Sequence, residues 1–174
     1  MKPSNNKYNI TTITIHWLST VLILILFPIG SYMSGLDTTE KLGLVQTHAL
    51  LGISVFLLTI IRTYFFFTKK RPKDIQTGSP INNKLIIWIH NTFYILLFAI
   101  TISGIATMLS GGYINALESQ NTELINQREN IKPLEAHGIT SFILMILLLV
   151  HIAGVIKHYI KTKENTLNEF YPKN

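Results

Sequence analysis

The thirteen residues between His137 and His151 carry no charged side chain, and Phe142 to Val150 form an unbroken apolar run of nine. Continued to Tyr159, the stretch is long enough to cross a hydrocarbon core, which takes about 20 apolar residues as a helix. At 100° per residue, the fourteen-residue step brings His151 back to within about 40° of the face of His137, roughly 21 Å further along the axis. His158, seven residues on, turns only about 20° more. Imidazoles in hydrocarbon are costly unless partnered, so three on one stripe of a spanning helix mark a functional site. Two of them near opposite ends predict two metal centres stacked across a membrane.

Three other apolar stretches are predicted to span, at about 10–33, 44–67 and 85–109, with the fourth at about 137–160. The first carries His16-Trp17 near its start, and Pro28 and Gly30 near its end are expected to kink or terminate it. Its apolar run is longer than a signal-peptide core, and a buried histidine is out of place in a discarded segment, so it is read as a retained helix. The second has His48 near its beginning and Arg62 near its end, also fourteen residues apart. The third has His90 and Tyr94 near its start and Gly104 inside, and Gly111-Gly112 ends it. Residues 37–47 read as a short polar connection. Pro72, Gly78, Ser79 and Pro80 mark 68–84 as a loop. Residues 113–135 read as a polar loop in which Ile114, Leu117, Leu124 and Ile125 give a short surface helix one weak apolar face. The expectation is a single all-α domain over 1–174, a four-helix transmembrane bundle.

Charge then sets orientation. Only 14% of the chain is charged and 48% is hydrophobic, which suits a small membrane bundle better than a soluble domain. The formal net charge of +6 sits in membrane-flanking segments, so it is read as topology and not as a nucleic-acid footprint. One side holds Lys2, Lys7, Arg62, Lys69, Lys70, Arg71, Lys73, Lys84, Lys157, Lys161, Lys163 and Lys173; the other holds Lys41, Arg128 and Lys132. Positively charged flanks stay inside, which places both termini in the cytoplasm. The absence of cysteine excludes disulfides, iron–sulfur clusters and covalent haem attachment in this chain.

Depth follows from orientation. His16 and His151 share the inner level, and His48 and His137 share the outer level. Two histidines at each of two levels suit two bis-imidazole b haems held between facing helices. Gly52 and Gly138 would let a porphyrin approach the backbone, and Arg62 at the inner level would pair with a propionate. The competing readings are hydrogen-bonded packing histidines, a zinc or transport site, and a snorkelling role for Arg62. The spans carry no acidic residue, and zinc sites gather three or four ligands at one depth. For His90 and His158 two readings stay open: packing at the inner headgroups, or hydrogen bonding to a quinone and proton relay.

Ile15-His16-Trp17-Leu18, His48-x-x-x-Gly52-Ile53-Ser54 with Arg62, His90-x-x-x-Tyr94, and His137 with His151 and His158-Tyr159 together resemble the bacterial cytochrome b561 family over nearly the whole chain. The resemblance implies four transmembrane helices and two b haems, ligated by His16 with His151 and by His48 with His137. Some members resemble a superoxide oxidase that passes electrons from superoxide at the outer face to ubiquinone; others are electron-transfer cytochromes. The leading expectation is thus a quinone-linked oxidoreductase, with quinone reduced near His158, His90 or Arg62. The second is an electron carrier and anchor for a periplasmic cytochrome or dehydrogenase. The third is a non-redox membrane protein. The outer connections hold Asp37, Glu40, Glu118, Glu123, Glu129 and Glu135 against Lys41, Arg128 and Lys132. That field slows an approaching anion and suits a basic partner.

Overall fold

The computed structural model describes residues 9–68 and 79–162. They form α1 (Ile10–Met33), α2 (Thr38–Thr68), α3 (Pro80–Ser110), the short α4 (Tyr113–Ser119), two 3₁₀ turns (Thr122–Leu124 and Arg128–Asn130) and α5 (Lys132–Thr162). Residues 1–8, 69–78 and 163–174, with Lys2, Lys7, Lys69, Lys70, Arg71, Lys73, Lys163 and Lys173, lie outside the described residues; the end of the expected 68–84 loop, Lys84 included, is the first turns of α3, because Pro80 is suited to open a helix.

Helix starts follow local chemistry. The Asn9 side chain accepts from the Thr11 amide at 3.0 Å, and Pro80 opens α3 after the capping Ser79. Pro28 does not end α1, which continues to Met33. Helices α2, α3 and α5 are longer than the apolar stretches within them. Most of the expected 37–47 connection is the first turns of α2, because polarity alone does not stop a helix once it leaves hydrocarbon.

The four long helices are apolar enough to cross a membrane, as expected from the sequence. Their outward faces are those of a lipid-exposed bundle: Leu50, Phe142 and Leu149 are each at least 60% exposed. Helix α5 packs mainly on α3, α1 on α2, and α2 on α3. Val55, Leu96, Leu97 and Leu144 are buried at the centre, with Leu22, Ile23, Leu26, Phe93, Ile100 and Leu147 around them. Leu144 is seven residues from both His137 and His151, and Val55 is seven from both His48 and Arg62. The apolar core is therefore a layer midway between the two histidine levels. The buried hydroxyls of Ser19, Thr59, Thr101 and Thr107 each donate to the carbonyl four residues back in their own helix, at 2.7–2.8 Å. That satisfies them without a ligand.

Residues 111–131 cap the outer end. Gly112 makes the turn after α3 at φ +75, where a Cβ would run into the Leu124 carbonyl. Asn126 serves the frayed end of α3: its amide nitrogen donates to the Gly111 carbonyl at 3.0 Å and its side chain to the Ser110 carbonyl at 2.8 Å. Arg128 donates to the Ser34 carbonyl at 3.2 Å, just past the end of α1. The expected short helix is present as α4, but its buried residues are Tyr113 and Ala116; Ile114 and Leu124 are exposed. The tyrosine ring supplies more apolar area than either aliphatic, and so takes the buried position.

Candidate functional site

Each end of the bundle gathers residues from all four long helices. At the outer level, α2 supplies His48 and α5 supplies His137. Their ring centroids lie 6.0 Å apart, with planes inclined at 77°. Each ring rests against a glycine of a third or fourth helix. A Cβ on Gly30 of α1 would stand 3.2 Å from His48 Cε1, and one on Gly104 of α3 would stand 3.1 Å from His137 Cε1. These two glycines make the space the rings occupy. Around Gly52 and Gly138, the positions singled out from the sequence, a Cβ would meet nothing within 4 Å.

His137 is oriented by α3. Its Nδ1 lies 2.8 Å from the Ile100 carbonyl oxygen, an acceptor only, so that nitrogen carries the proton. The lone pair is then on Nε2, the state a metal-ligating histidine needs, with the second hydrogen bond fixing tautomer and ring direction. The buried Nδ1 of His48 has no hydrogen-bond partner among the described residues. Imidazole nitrogens bind metals at about 2 Å, so two rings on opposite sides of one ion have centroids roughly 6 Å apart. The outer pair thus fits a bis-imidazole iron porphyrin by spacing, by tautomer and by its neutral donors. Among the described residues no three His, Cys, Asp or Glu side chains are placed to share an ion, as a structural zinc site would require.

At the inner level, α1 supplies His16, α2 Arg62, α3 His90, Phe93 and Tyr94, and α5 His151. His16 lies within electrostatic reach of Arg62, His151 and His90. The His151 ring touches His90 at 5.4 Å and Phe93 at 5.5 Å between centroids. His90 Nδ1 lies 2.8 Å from the Ile86 carbonyl of its own helix, which fixes its tautomer. Arg62 stands 5.4 Å over the Tyr94 ring, which also packs on Phe66 at 5.3 Å. Here too the donor set suits a bis-imidazole porphyrin: imidazoles from α1 and α5 lie within electrostatic reach of each other, with the Arg62 guanidinium within reach of both to take an anionic substituent. His90, for which the sequence left two readings open, is exposed and stands against the His151 ring. His158 is half-buried one and a half to two turns further along α5.

Outside the spans, the cap holds one perturbed group. Burial pushes the Tyr113 phenol above its ordinary value of about 10, with the Arg128 charge pulling the other way. Arg128 also lines an outer cavity of about 330 Å³ together with Glu129, Leu134 and Glu135.

Sequence comparison agrees with this architecture. A family model described as prokaryotic cytochrome b561 matches residues 7–173. The cytochrome b561 homolog 2 of Escherichia coli (strain K12) is 27% identical over 100 residues, a match covering 56% of this chain and 53% of that relative. The aligned part of this chain therefore spans about half the length of the relative.

Proposed function

The chain belongs to the prokaryotic cytochrome b561 family of membrane electron-transfer haem proteins, and from that membership and the two histidine levels we propose that it is a di-haem oxidoreductase of the bacterial inner membrane, taking electrons from superoxide at the outer face to ubiquinone. The observation that carries the reading is the outer pair: His48 and His137, on different helices, with rings 6.0 Å apart and each seated on a glycine. Bound at the outer and inner levels, two b haems supply one-electron chemistry across the bilayer.

The chain's own residues have the following roles in this reading. His48 and His137 would hold the outer haem, and His16 and His151 the inner one. The Ile100 carbonyl holds the His137 proton on Nδ1 and leaves the Nε2 lone pair as the donor. Arg62, steadied by Tyr94, would pair with a propionate at the inner level. His90 and His158 serve the quinone, as hydrogen-bond partners and as proton carriers from the cytoplasmic side. The layer around Val55 and Leu144 keeps water out between the levels.

The test begins with purified protein in detergent, its oxidised and reduced visible spectra, and haem per chain. Two b haems are expected. His48→Ala and His137→Ala should lose the same one, and His16→Ala and His151→Ala the other. Preparations from haem-replete cells that carry none would overturn the proposal.

A second reading has an observation in its favour. Asp37, Glu40, Glu118, Glu123, Glu129 and Glu135 are all exposed at the outer end. That surface suits a basic electron-donor protein, with this chain as carrier and anchor. Salt separates the two. Screening a negative field speeds the entry of superoxide and slows the docking of a cationic protein. The isolated chain should also reduce quinone with superoxide under the first reading and not under the second.

A further inference from the structure

Helix α3 provides no axial ligand in the proposed arrangement, yet it holds His137 through one crowded atom. Three donors converge on the Ile100 carbonyl oxygen. The Gly104 amide follows from the α-helical ladder of α3. His137 Nδ1 lies 2.8 Å away, and the Ser103 hydroxyl donates from 3.0 Å. A carbonyl oxygen has two lone pairs, so the three donors compete. Ser103 Oγ also lies 3.4 Å from His137 Nδ1. That is too long to rival the 2.8 Å bond for the single ring proton. The serine therefore acts on His137 through the carbonyl they share.

We propose that Ser103 is a positioning residue that tunes the outer haem: by drawing on the Ile100 carbonyl, its hydroxyl weakens the hydrogen bond made by His137 and keeps that ligand less electron-rich. The sign follows from the ligand chemistry. A stronger hydrogen bond from the distal ring nitrogen raises the basicity of the ligating one, and a more basic ligand favours the oxidised metal. With the hydroxyl present, the bond is held back and the outer potential stays higher. With it removed, the carbonyl serves His137 more fully and the outer potential falls. The proposal rests on the reading of His137 as an axial ligand.

The experiment is a redox titration of the holoprotein, followed optically, for wild type, Ser103→Ala, Ser103→Thr and His137→Ala. Ser103→Ala should lower one of the two potentials, changing its oxidised-to-reduced ratio at fixed potential by threefold or more, which is about 28 mV for a one-electron couple. The other potential should not move. Ser103→Thr keeps a hydroxyl at the same carbon and should restore the wild-type value, an outcome that loss of packing alone would not produce. His137→Ala should lose one haem. If His137→Ala loses a haem while Ser103→Ala leaves both potentials in place or raises the outer one, the role of Ser103 is wrong and the ligand reading stands. If His137→Ala retains both haems, the ligand reading fails and takes this proposal with it.

Discussion

Replacing Gly104 by alanine adds one methyl group where His137 needs room. Its Cβ would stand 3.1 Å from His137 Cε1 and 3.2 Å from Nδ1. Ordinary carbon contacts lie at about 3.5–4.0 Å, so the ring must retreat by roughly half an ångström. The same retreat stretches the bond to the Ile100 carbonyl from 2.8 Å to about 3.3 Å, past the usual range for N–H···O. The helix itself gains about 1 kcal/mol from the exchange of glycine for alanine. Loss of the outer-shell bond to a metal-ligating histidine lowers metal affinity about 10- to 100-fold, or about 1.4–2.7 kcal/mol. The ligand effect therefore outweighs the helix effect. The assay is a haem titration of apoprotein in a His16→Ala background, which leaves only the outer pair. Gly43→Ala is the control, because a Cβ there meets nothing within 4 Å. Unchanged affinity in Gly104→Ala, or an equal loss in Gly43→Ala, would refute the argument.

Other consequences follow from single contacts. Tyr94→Leu removes the ring beneath Arg62 and should lower the thermal stability of the holoprotein by about 0.5–2 kcal/mol, with Tyr94→Phe close to wild type. Asn126→Ala releases the Ser110 carbonyl and should destabilise the outer cap by about 1 kcal/mol, read as faster amide exchange over residues 111–131. The raised phenol of Tyr113 has a definite sign: the folded cap holds the proton where the unfolded chain has lost it. The contribution is fully present below about pH 10 and is lost as pH rises through the folded value. Ultraviolet titration should show this tyrosine ionising last, and Tyr113→Phe should remove the alkaline loosening of the cap.

The four spans and the two histidine depths were legible because they rest on composition and on helical periodicity, which the bilayer enforces. The ends of α2, α3 and α5 were not, since hydropathy marks where hydrocarbon ends and a helix may continue in water, as the first turns of α2 do. The glycines that seat the rings were not legible either. Gly52 and Gly138 stand next to histidines in their own helices, and sequence proximity favours them. What a ring touches across a bundle is decided by the facing helices, and there Gly30 and Gly104 stand. The contact of His90 with His151 was not legible because it joins α3 to α5, a pairing that no local pattern encodes.

A spacing does encode part of it. His16 and Gly30 on α1, His48 and Arg62 on α2, His90 and Gly104 on α3, and His137 and His151 on α5 are each fourteen residues apart. Each pair spans roughly 21 Å on nearly one face, so every long helix presents one residue to each level. At the outer level these are two histidines and the two glycines that make room for them. At the inner level they are three histidines and an arginine. The two sets bias electrons differently. In the proposed di-haem reading, the hydrogen bond from His137 to Ile100 would enrich the outer ligand and favour the oxidised state there. The fixed charge of Arg62, within electrostatic reach of both His16 and His151, would favour an added electron at the inner level. Both effects would slope from the outer level to the inner one, the direction that the proposed reduction of quinone on the cytoplasmic side requires. Weakening either residue should therefore bring the two potentials together rather than move them in parallel.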